Sequence, residues 1–506
     1  MSNPDLTQTE DQPAQSIRLI IVSIGLLLLL ASLDQTIVST ALPTIVADLG
    51  GLDHLSWVVT AYILASTVVA PLYGKIGDLY GRRNTVFVSV GLFLLGSALC
   101  GLASSMTMLI LSRALQGLGG GGLFVLALSV IGDVIPPRDR GKVQGVFAAV
   151  FAVSSVIGPL LGGWFVDNLT WHWIFFINVP FGFLAVAGFA SGFKPTGKRV
   201  ARKIDWLGAA TLSAALASIT LFSSLGGRSF AWDSPASIGL AVVALVSLAL
   251  FLWAETRAAE PILPLSLFRI NVFWVTSIIG FVAGAAMFGS LTFLPVYLQI
   301  AQGASPTISG LMLVPMTFGI VITSTIAGRT MGKTGKYRIL PVFGTGFLIL
   351  GMLLLSRLTP DTSGIIFGTS LGCVGAGMGF IFPVVTTAVQ NAVPREQLGT
   401  ATASGLMFRQ VGGSIAVAVF GAIFAAGMSG RMADLPAGAG ESLQISPKML
   451  AAMPDAARHA LAESVVSSLQ PIYLLAAGLA LVGLIFSFAL KEVPLTSRME
   501  QKPEAA

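Results

Sequence analysis

Three charged side chains stand inside long apolar runs of this sequence. Asp34 lies in LLLLLASLDQTIVSTALPTI, Arg113 in LSRALQGLGGGG and Arg409 in GLMFRQVGGS. A charge near the middle of a membrane span costs roughly 2.5 to 3.5 kcal/mol on insertion scales, so such a residue is rarely a lipid-facing accident. A carboxyl group in a low-dielectric site can take up and release a proton in the physiological range. Asp34 therefore indicates proton transfer or substrate binding; the simpler alternative is a structural hydrogen bond to a neighbouring helix.

The elements that carry these residues are apolar runs that recur along the whole chain. The 506 residues are 54% hydrophobic and 10% charged, and the mean hydropathy is +0.85. Each run is about 20 residues long, enough for a helix to cross roughly 30 Å of hydrocarbon. The runs are continuous, unlike the alternating strands of an outer-membrane barrel. We therefore predict an all-α polytopic membrane protein with fourteen spans, at about 17–40, 56–76, 85–104, 107–130, 141–166, 173–192, 205–224, 236–254, 271–294, 307–328, 338–357, 363–388, 402–427 and 470–490.

The basic residues predict the orientation of the spans. An even number of spans puts both termini on one side, and 22 of the 29 Lys and Arg residues fall on that side. By the positive-inside rule that side is cytoplasmic. The net charge of +6 is thus a topological signal rather than a nucleic-acid surface. We expect a multi-pass protein of the cell inner membrane with both termini in the cytoplasm.

An internal repeat divides the chain into two equivalent halves. GKIGDLYGRR at 74–83 aligns with GRTMGKTGKYR at 328–338, and PPRDRG at 136–141 aligns loosely with PREQLG at 394–399. Two parallel six-helix repeats are typical of transporters that rock about a central site. The predicted organisation is an N-terminal bundle at 1–195, a linker with spans 7 and 8 at 196–262, a C-terminal bundle at 263–492 with an outer loop at 428–469, and a cytoplasmic tail at 493–506.

GKIGDLYGRR resembles the loop signature of the major facilitator superfamily. Together with LDQTIVSTALPTI, LSRALQGLGGGG, SVIGPLLGG at 155–163 and WHWIFFINVPFG at 171–182, it makes the chain similar to the fourteen-span drug:proton antiporters of the EmrB/QacA type. The resemblance covers nearly the whole chain. It implies the major facilitator fold and export of lipophilic drugs or other amphiphilic small molecules, driven by the proton gradient and without a cofactor. Substrate identity and charge are not implied.

The resemblance assigns Asp34 and Arg113 to proton coupling. Asp34 is about 15 Å below the outer end of span 1, and Arg113 about 10 Å below the outer end of span 4. The side chains can meet if spans 1 and 4 face each other, as the superfamily fold implies, and a fixed structural ion pair is the alternative. Arg409 is near the midplane, where it could attract anionic or electron-rich groups, neutralise Asp34, or bond to helix carbonyls or lipid phosphate. The candidate substrate cavity comprises Asp34, Tyr62, Gln116, Phe288, Phe293, Arg409 and Gln410.

Two glycine-containing motifs predict conformational switching. In GKIGDLYGRR, Asp78 could accept hydrogen bonds from a helix N-terminus in the other half. Arg82 and Arg83 could bind neighbouring acids or lipid phosphates. The glycines of the motif, Gly74, Gly77 and Gly81, permit a tight turn and close helix approach. In the second repeat Asp78 aligns with Gly332, so this latch should be asymmetric; a plain positive-inside loop is the alternative. The antiporter signature predicts a hinge in span 5 at Gly158, Pro159 and Gly162. The simpler alternative is that these residues only allow close helix packing.

The remaining features narrow the function. The two cysteines fall inside spans, and the three histidines are too separate in sequence for a metal site. The segment at 445–470 has helical apolar spacing, so loop 428–469 could hold an amphipathic surface helix that caps the exit or meets a periplasmic partner. We expect a monomer in contact with membrane lipids, with no metal, cofactor or nucleic acid, and not an enzyme. The alternatives are an exporter of the same fold dedicated to an endogenous lipid, siderophore or antibiotic, and a membrane scaffold or sensor.

Overall fold

The computed structural model describes residues 16–50, 55–193, 204–227, 230–304, 306–432 and 454–496. In these ranges thirteen helical segments are long and apolar enough to cross a bilayer. A further apolar helix, Leu340–Leu355, has 16 residues and is about 24 Å long. Apart from one isolated bridge between Gly226 and Phe230, the described residues contain no β-structure. The predicted all-α polytopic class is confirmed, and thirteen long segments with one short one match the fourteen predicted spans.

The helices follow the predicted spans in order. Span 6 is divided into α6 and α7, span 10 into α11 and α12, and α10 continues into a π-helical turn at Tyr297–Ala301. The bounds are α1 Ile17–Leu49, α2 Leu55–Tyr80, α3 Arg82–Gly101, α4 Met106–Val134, α5 Pro137–Asn168, α6 Trp173–Phe176, α7 Asn178–Gly192, α8 Trp206–Leu225, α9 Pro235–Glu255, α10 Asn271–Val296, α11 Pro306–Met312, α12 Val314–Thr334, α13 Leu340–Leu355, α14 Gly364–Ala392, α15 Leu398–Met432 and α16 Asp455–Phe488.

The helices pack as two bundles with a separate pair. Helices α1 to α7 pack on one another, as do α10 to α16. Helices α8 and α9 pack mainly against each other, and α8 also contacts α2 and α15 along the edge where the bundles meet. A salt bridge of 2.9 Å from Lys75 on α2 to Glu260 ties the segment after α9 to the N-terminal bundle.

The bundles meet near the end of the molecule that carries Ile17 and Phe488, which we call the terminal end. There α2 packs against the start of α15, and the start of α5 against the end of α12. Glycines allow both approaches. A Cβ on Gly74 would lie 2.7 Å from the carbonyl oxygen of Gly399, and one on Gly328 would overlap the backbone of Gly141. These contacts hold the terminal end closed.

The described part of the predicted tail, together with the residues just before it, lies across this end. We call residues 490–496 the C-terminal strap. Its Leu495 donates a backbone hydrogen bond of 2.9 Å to Gly335, and the carboxylate of Glu492 accepts one of 2.7 Å from Tyr337. At its end the carbonyl of Thr496 accepts a hydrogen bond of 3.3 Å from the backbone of Arg138 on α5. The strap therefore runs from the C-terminal bundle to the N-terminal bundle.

The predicted outer loop is shorter than expected. Helix α15 continues to Met432, and α16 begins at Asp455, inside the predicted loop 428–469. The expected helical spacing near 455–470 is present, but this segment is continuous with span 14, and its Leu461 and Val465 are buried against the C-terminal bundle. Residues 433–453, with Leu450 and Met453 of the predicted surface helix, lie outside the described residues.

Candidate functional site

Both oxygens of the Asp34 carboxylate are engaged inside the N-terminal bundle. Arg113 on α4 donates a hydrogen bond of 2.6 Å to Oδ2. Gln116, one turn further along α4, donates one of 2.8 Å to Oδ1, and Asn178 at the start of α7 donates one of 3.0 Å to the same oxygen. The Asp34 residue is fully buried. The contact expected between spans 1 and 4 is present, and it is an ion pair shielded from solvent.

Arg113 is held on every side. Its Nε donates a hydrogen bond to the carbonyl of Val58. Its Nη1, which donates to Asp34, also donates a hydrogen bond of 2.7 Å to Oε1 of Gln116. The guanidinium carbon lies 4.4 Å from the ring centroid of Tyr62 and 5.9 Å from that of Phe175. Cation–π contacts of this kind strengthen when they are desolvated. Tyr62 and Gln116 therefore line the ion pair in this conformation.

Two neutral residues complete the cluster, and both escaped the sequence analysis. Ser97 on α3 accepts hydrogen bonds from Gln116 at 3.2 Å and Asn178 at 2.9 Å, and donates one to the carbonyl of Phe175. The Oδ1 atom of Asn178 is buried and has no hydrogen-bond partner among the residues that the structure describes. The only signal for Asn178 was an amide within the motif WHWIFFINVPFG. Four helices thus converge on Asp34, so its charge state affects the packing of α1, α3, α4 and α7.

The predicted hinge of α5 lies against α1 next to Asp34. Thr36, two residues after Asp34, donates a hydrogen bond of 3.2 Å to the carbonyl of Ser154. A side chain at Gly158 would overlap Thr36, and one at Gly162 would overlap Thr40. Pro159 lies inside α5, where it lacks the N–H that would complete the helical hydrogen-bond ladder. The hinge glycines therefore serve close helix packing here, at a position where α5 is also able to bend.

At the terminal end, Asp78 binds the N-terminus of α15 in the other bundle. Its Oδ1 accepts a hydrogen bond of 3.0 Å from the backbone N–H of Gly399, and its Oδ2 accepts one of 2.7 Å from that of Thr400. The hydroxyl of Thr400 donates a further bond of 3.0 Å to Oδ2. A carboxylate at a helix N-terminus is stabilised by the unpaired N–H groups and the helix dipole. The expected helix-end contact is present.

Arginines support this contact from the N-terminal bundle. Arg82 donates to Asp78 at 2.6 Å and to Asp133 on α4 at 2.5 Å, so one guanidinium joins α2, α3 and α4. Arg83 instead donates to the carbonyl of Ala190 and lies over the ring of Phe87. Gly81 adopts a φ of 91° between α2 and α3, which a glycine permits without strain. Asp133 had not been singled out in the sequence.

The second repeat makes a contact of the opposite polarity. Arg138, at the start of α5, donates hydrogen bonds of 2.8 Å to the carbonyl of Gly332 and 2.6 Å to that of Lys333, at the end of α12. A cation is stabilised at a helix C-terminus as an anion is at an N-terminus. The expected asymmetry is therefore a reversal: a carboxylate meets a helix N-terminus on one side of the interface, and a guanidinium meets a helix C-terminus on the other.

Arg409 lies apart from Asp34, in a recess of the C-terminal bundle. The recess is lined by Gly280, Phe382, Val385, Thr386, Val389, Ala401, Thr402, Gly405, Leu406 and Arg409. The guanidinium carbon of Arg409 is 4.8 Å from the ring centroid of Phe382, and Gly284 on α10 gives room for the Arg409 stem. The structure therefore does not bring Arg409 into contact with Asp34.

The other predicted cavity residues are also distributed. Phe288 packs against Gly413 between α10 and α15, and Phe293 packs against Phe424 with a ring-centroid distance of 5.8 Å. Gln410 is half-buried, on the same turn of α15 as Arg409. With Tyr62 and Gln116 around Arg113, the predicted cavity set falls into an N-terminal group at the ion pair and a C-terminal group on α10 and α15. No cluster of three or more His, Cys, Asp or Glu side chains that could hold a metal is found in the part of the chain that the structure describes.

Comparison with known proteins gives one consistent result. The family model described as Major Facilitator Superfamily matches residues 24–417. The chain is 37% identical over 524 residues to the multidrug transporter protein MdtP of Bacillus subtilis, with 96% of each chain covered. It is 42% identical over 470 residues to an uncharacterised MFS-type transporter of Mycobacterium tuberculosis, covering 92% of this chain and 68% of that relative. The crystal structure of the human organic anion transporter TETRAN has a TM-score of 0.62 at 16% identity, with 92% of this chain and 99% of that chain covered, a likeness of fold alone.

Proposed function

The chain belongs to the Major Facilitator Superfamily, and on this premise we propose that it exports lipophilic or amphiphilic small molecules in exchange for protons. Membership makes it a multi-pass membrane transporter rather than an enzyme. The relatives named multidrug transporter and efflux pump support export as the direction. Proton exchange rests on one observation, the buried ion pair between Asp34 and Arg113.

The ion pair supports proton coupling because its stability depends on one proton. As a charged pair, Asp34 and Arg113 hold α1 to α4, with Gln116 and Asn178 satisfying the other carboxylate oxygen. A proton on Asp34 removes the attraction and leaves a buried, uncompensated arginine, which is strongly unfavourable. Protonation therefore favours a conformation in which Arg113 is rearranged or solvated. A ligand or proton shifts a two-state equilibrium by its differential affinity for the two states.

The closed terminal end defines the state from which this step begins. We propose that the terminal end faces the cytoplasm, as the basic residues predict. The structure is then the state closed to the cytoplasm, in which a proton arrives from outside. Protonation of Asp34 would loosen α1 against α4 and α7, and the contacts of Asp78 and Arg138 would break as the bundles rock to the opposite state. Release of the proton inside restores the ion pair and resets the carrier.

The test is the substitution Asp34→Asn in everted vesicles. Asparagine keeps nearly the volume of the side chain and an oxygen for Arg113, but it cannot exchange a proton. We expect loss of pH-driven accumulation of a transported dye, with retained exchange of the same dye between equal concentrations on the two sides. The matched control is Asp48→Asn, an exposed acid on the same helix, which should transport normally. Full pH-driven transport by Asp34→Asn would overturn the proposal.

A further inference from the structure

The charges inside the membrane region are unevenly balanced. In the N-terminal bundle Asp34 is already neutralised by Arg113. In the C-terminal bundle Arg409 has no ion-pair or hydrogen-bond partner among the described residues. A charge near the middle of a span costs roughly 2.5 to 3.5 kcal/mol on insertion scales, and such residues mark substrate or ion pathways. Of these charges inside the spans, the one that lacks an ion-pair partner in the described part of the chain, Arg409, is therefore positive.

The Arg409 side chain lines the recess of the C-terminal bundle. It is half-buried, so the recess is the route by which a ligand atom can reach its guanidinium. Its planar group lies over Phe382, which leaves its N–H edges free to bind an acceptor. A guanidinium matches carboxylate and sulfonate oxygens in geometry and binds them through paired hydrogen bonds. Asp34, by contrast, is fully buried and cannot be reached by a cationic group in this conformation.

The position of the recess fits a binding site for one end of a substrate. Leu406, which lines it, packs against Ala70 and Val125 of the N-terminal bundle, and Arg409 lies one turn further along α15 from this contact. The recess thus adjoins the boundary between the bundles just beyond the closed terminal end. It has room for about one water molecule. It can admit one oxygen of an acidic head group to the guanidinium, while the rest of the ligand must lie outside the recess, at the boundary between the bundles.

We infer that Arg409 is a specificity-determining residue for amphiphiles that carry one acidic group, a carboxylate or sulfonate on an apolar body. This rests on the proposed export function and names its substrate class. The head group binds the Arg409 guanidinium in the recess, with the Thr386 and Thr402 side chains beside it. The apolar body lies at the boundary between the bundles, beside Leu406 and the aliphatic side chains around it. Neutral analogues of the same body use the same apolar surface without the charge-assisted bonds.

The experiment compares anilinonaphthalenesulfonate with phenylnaphthylamine, which is the same aromatic body without the sulfonate. Transport of both is measured in everted vesicles that contain the full-length protein. We expect the wild type to export the sulfonate with the higher kcat/KM. Arg409→Gln should lower that value about tenfold, the equivalent of one charge-assisted hydrogen bond at about 1.4 kcal/mol, and change transport of the neutral probe less than twofold. Arg409→Lys should recover part of the preference.

Controls separate a specific role from a structural one. Arg329→Gln removes the same charge from an exposed position on α12 of the same bundle, and it should leave the ratio between the two probes unchanged. Equal loss of both probes in Arg409→Gln, or a wild type that prefers the neutral probe, would overturn the inference. Proton-driven export of other lipophilic compounds with no preference for the sulfonate would overturn it too, while leaving the proposed function intact. Failure of proton coupling itself would show in Asp34→Asn, not in these ratios.

Discussion

Removing the charge of Asp78 should open the terminal end. The carboxylate accepts three hydrogen bonds across the bundle boundary, two from the backbone of Gly399 and Thr400 and one from the Thr400 hydroxyl. Arg82 stays beside Asp78 in either state because both belong to the N-terminal bundle, so only the three bonds across the boundary count. Asp78→Asn keeps one acceptor oxygen, so at least one of the three bonds is lost, and the bonds that remain are no longer charge-assisted.

The magnitude follows from these bonds. Hydrogen bonds to a charged group contribute about 1.5 to 3 kcal/mol each and neutral ones about 0.5 to 1.5 kcal/mol, so losing one bond and neutralising two costs on the order of 3 kcal/mol. That corresponds to a shift of roughly a hundredfold in the equilibrium between the closed and open terminal end. Thr400→Ala removes only the hydroxyl donor and leaves both backbone donors, so its shift should be about tenfold. The two variants therefore predict a graded response from a single contact.

The assay is the distance between spin labels at Tyr80 and Glu396, which are both exposed on opposite sides of the contact. The labels are placed in a background with Cys373→Ser, and Cys100 is fully buried. Double electron–electron resonance should show a longer distance gaining population in Asp78→Asn. The control is Asp139→Asn, a half-exposed acid at the same end whose salt bridge to Lys142 contributes about 0 to 1 kcal/mol. Equal distance distributions in Asp78→Asn and the control would refute the reasoning.

Two further substitutions test the neighbouring contacts. Gly158→Ala would overlap Thr36, so we expect transport to fall at least tenfold while the protein stays folded. Thr36→Ala in the same chain should restore much of the transport. Transport assays and a detergent melting curve check this, and absence of rescue would contradict the packing argument. Arg138→Ala removes two hydrogen bonds to the end of α12. It should shift the equilibrium toward the open terminal end about as far as Asp78→Asn does, which the distance between spin labels at Asp139 and Lys336 measures. An unchanged distance would show that the strap and the glycine contacts suffice without Arg138.

The fold and the contacts of the charged residues could be predicted from the sequence. Apolar runs of fixed length predict spans. The similar depths of Asp34 and Arg113, together with the facing of spans 1 and 4 that the family resemblance implies, predict that they meet. Asp78 could be assigned to a helix end because the motif and the repeat placed it at the boundary between two halves. In each case a rare residue in a regular background carried the information.

What could not be predicted depends on packing. Ser97 and Asn178 are common neutral residues, and their importance comes only from the way α3 and α7 pack beside Asp34. Arg138 was one basic residue among several in a loop, and its role depends on which helix end lies opposite it. The continuity of Asp455–Phe488 was hidden because a polar first half and an apolar second half look like two elements. The placement of Asp34 and Arg409 in separate bundles, one in an ion pair and the other in a recess, likewise depends on how the helices pack.

Helix α5 joins the proposed proton site to the boundary between the bundles. Near its middle it packs on α1 through Ser154 and Gly158, beside Asp34. At its start, about 30 Å away along the helix axis, Arg138 and Gly141 contact the end of α12 in the other bundle. In the proposed mechanism, a shift of α1 on protonation of Asp34 would therefore move the same helix that contacts the other bundle at the terminal end. Pro159 cannot donate the helical hydrogen bond to the carbonyl of Ser155, so bending there leaves the segment from Arg138 to Ser154 straight. One helix therefore contacts both the proposed proton site and the boundary between the bundles, so movement of α5 would couple them without a separate relay.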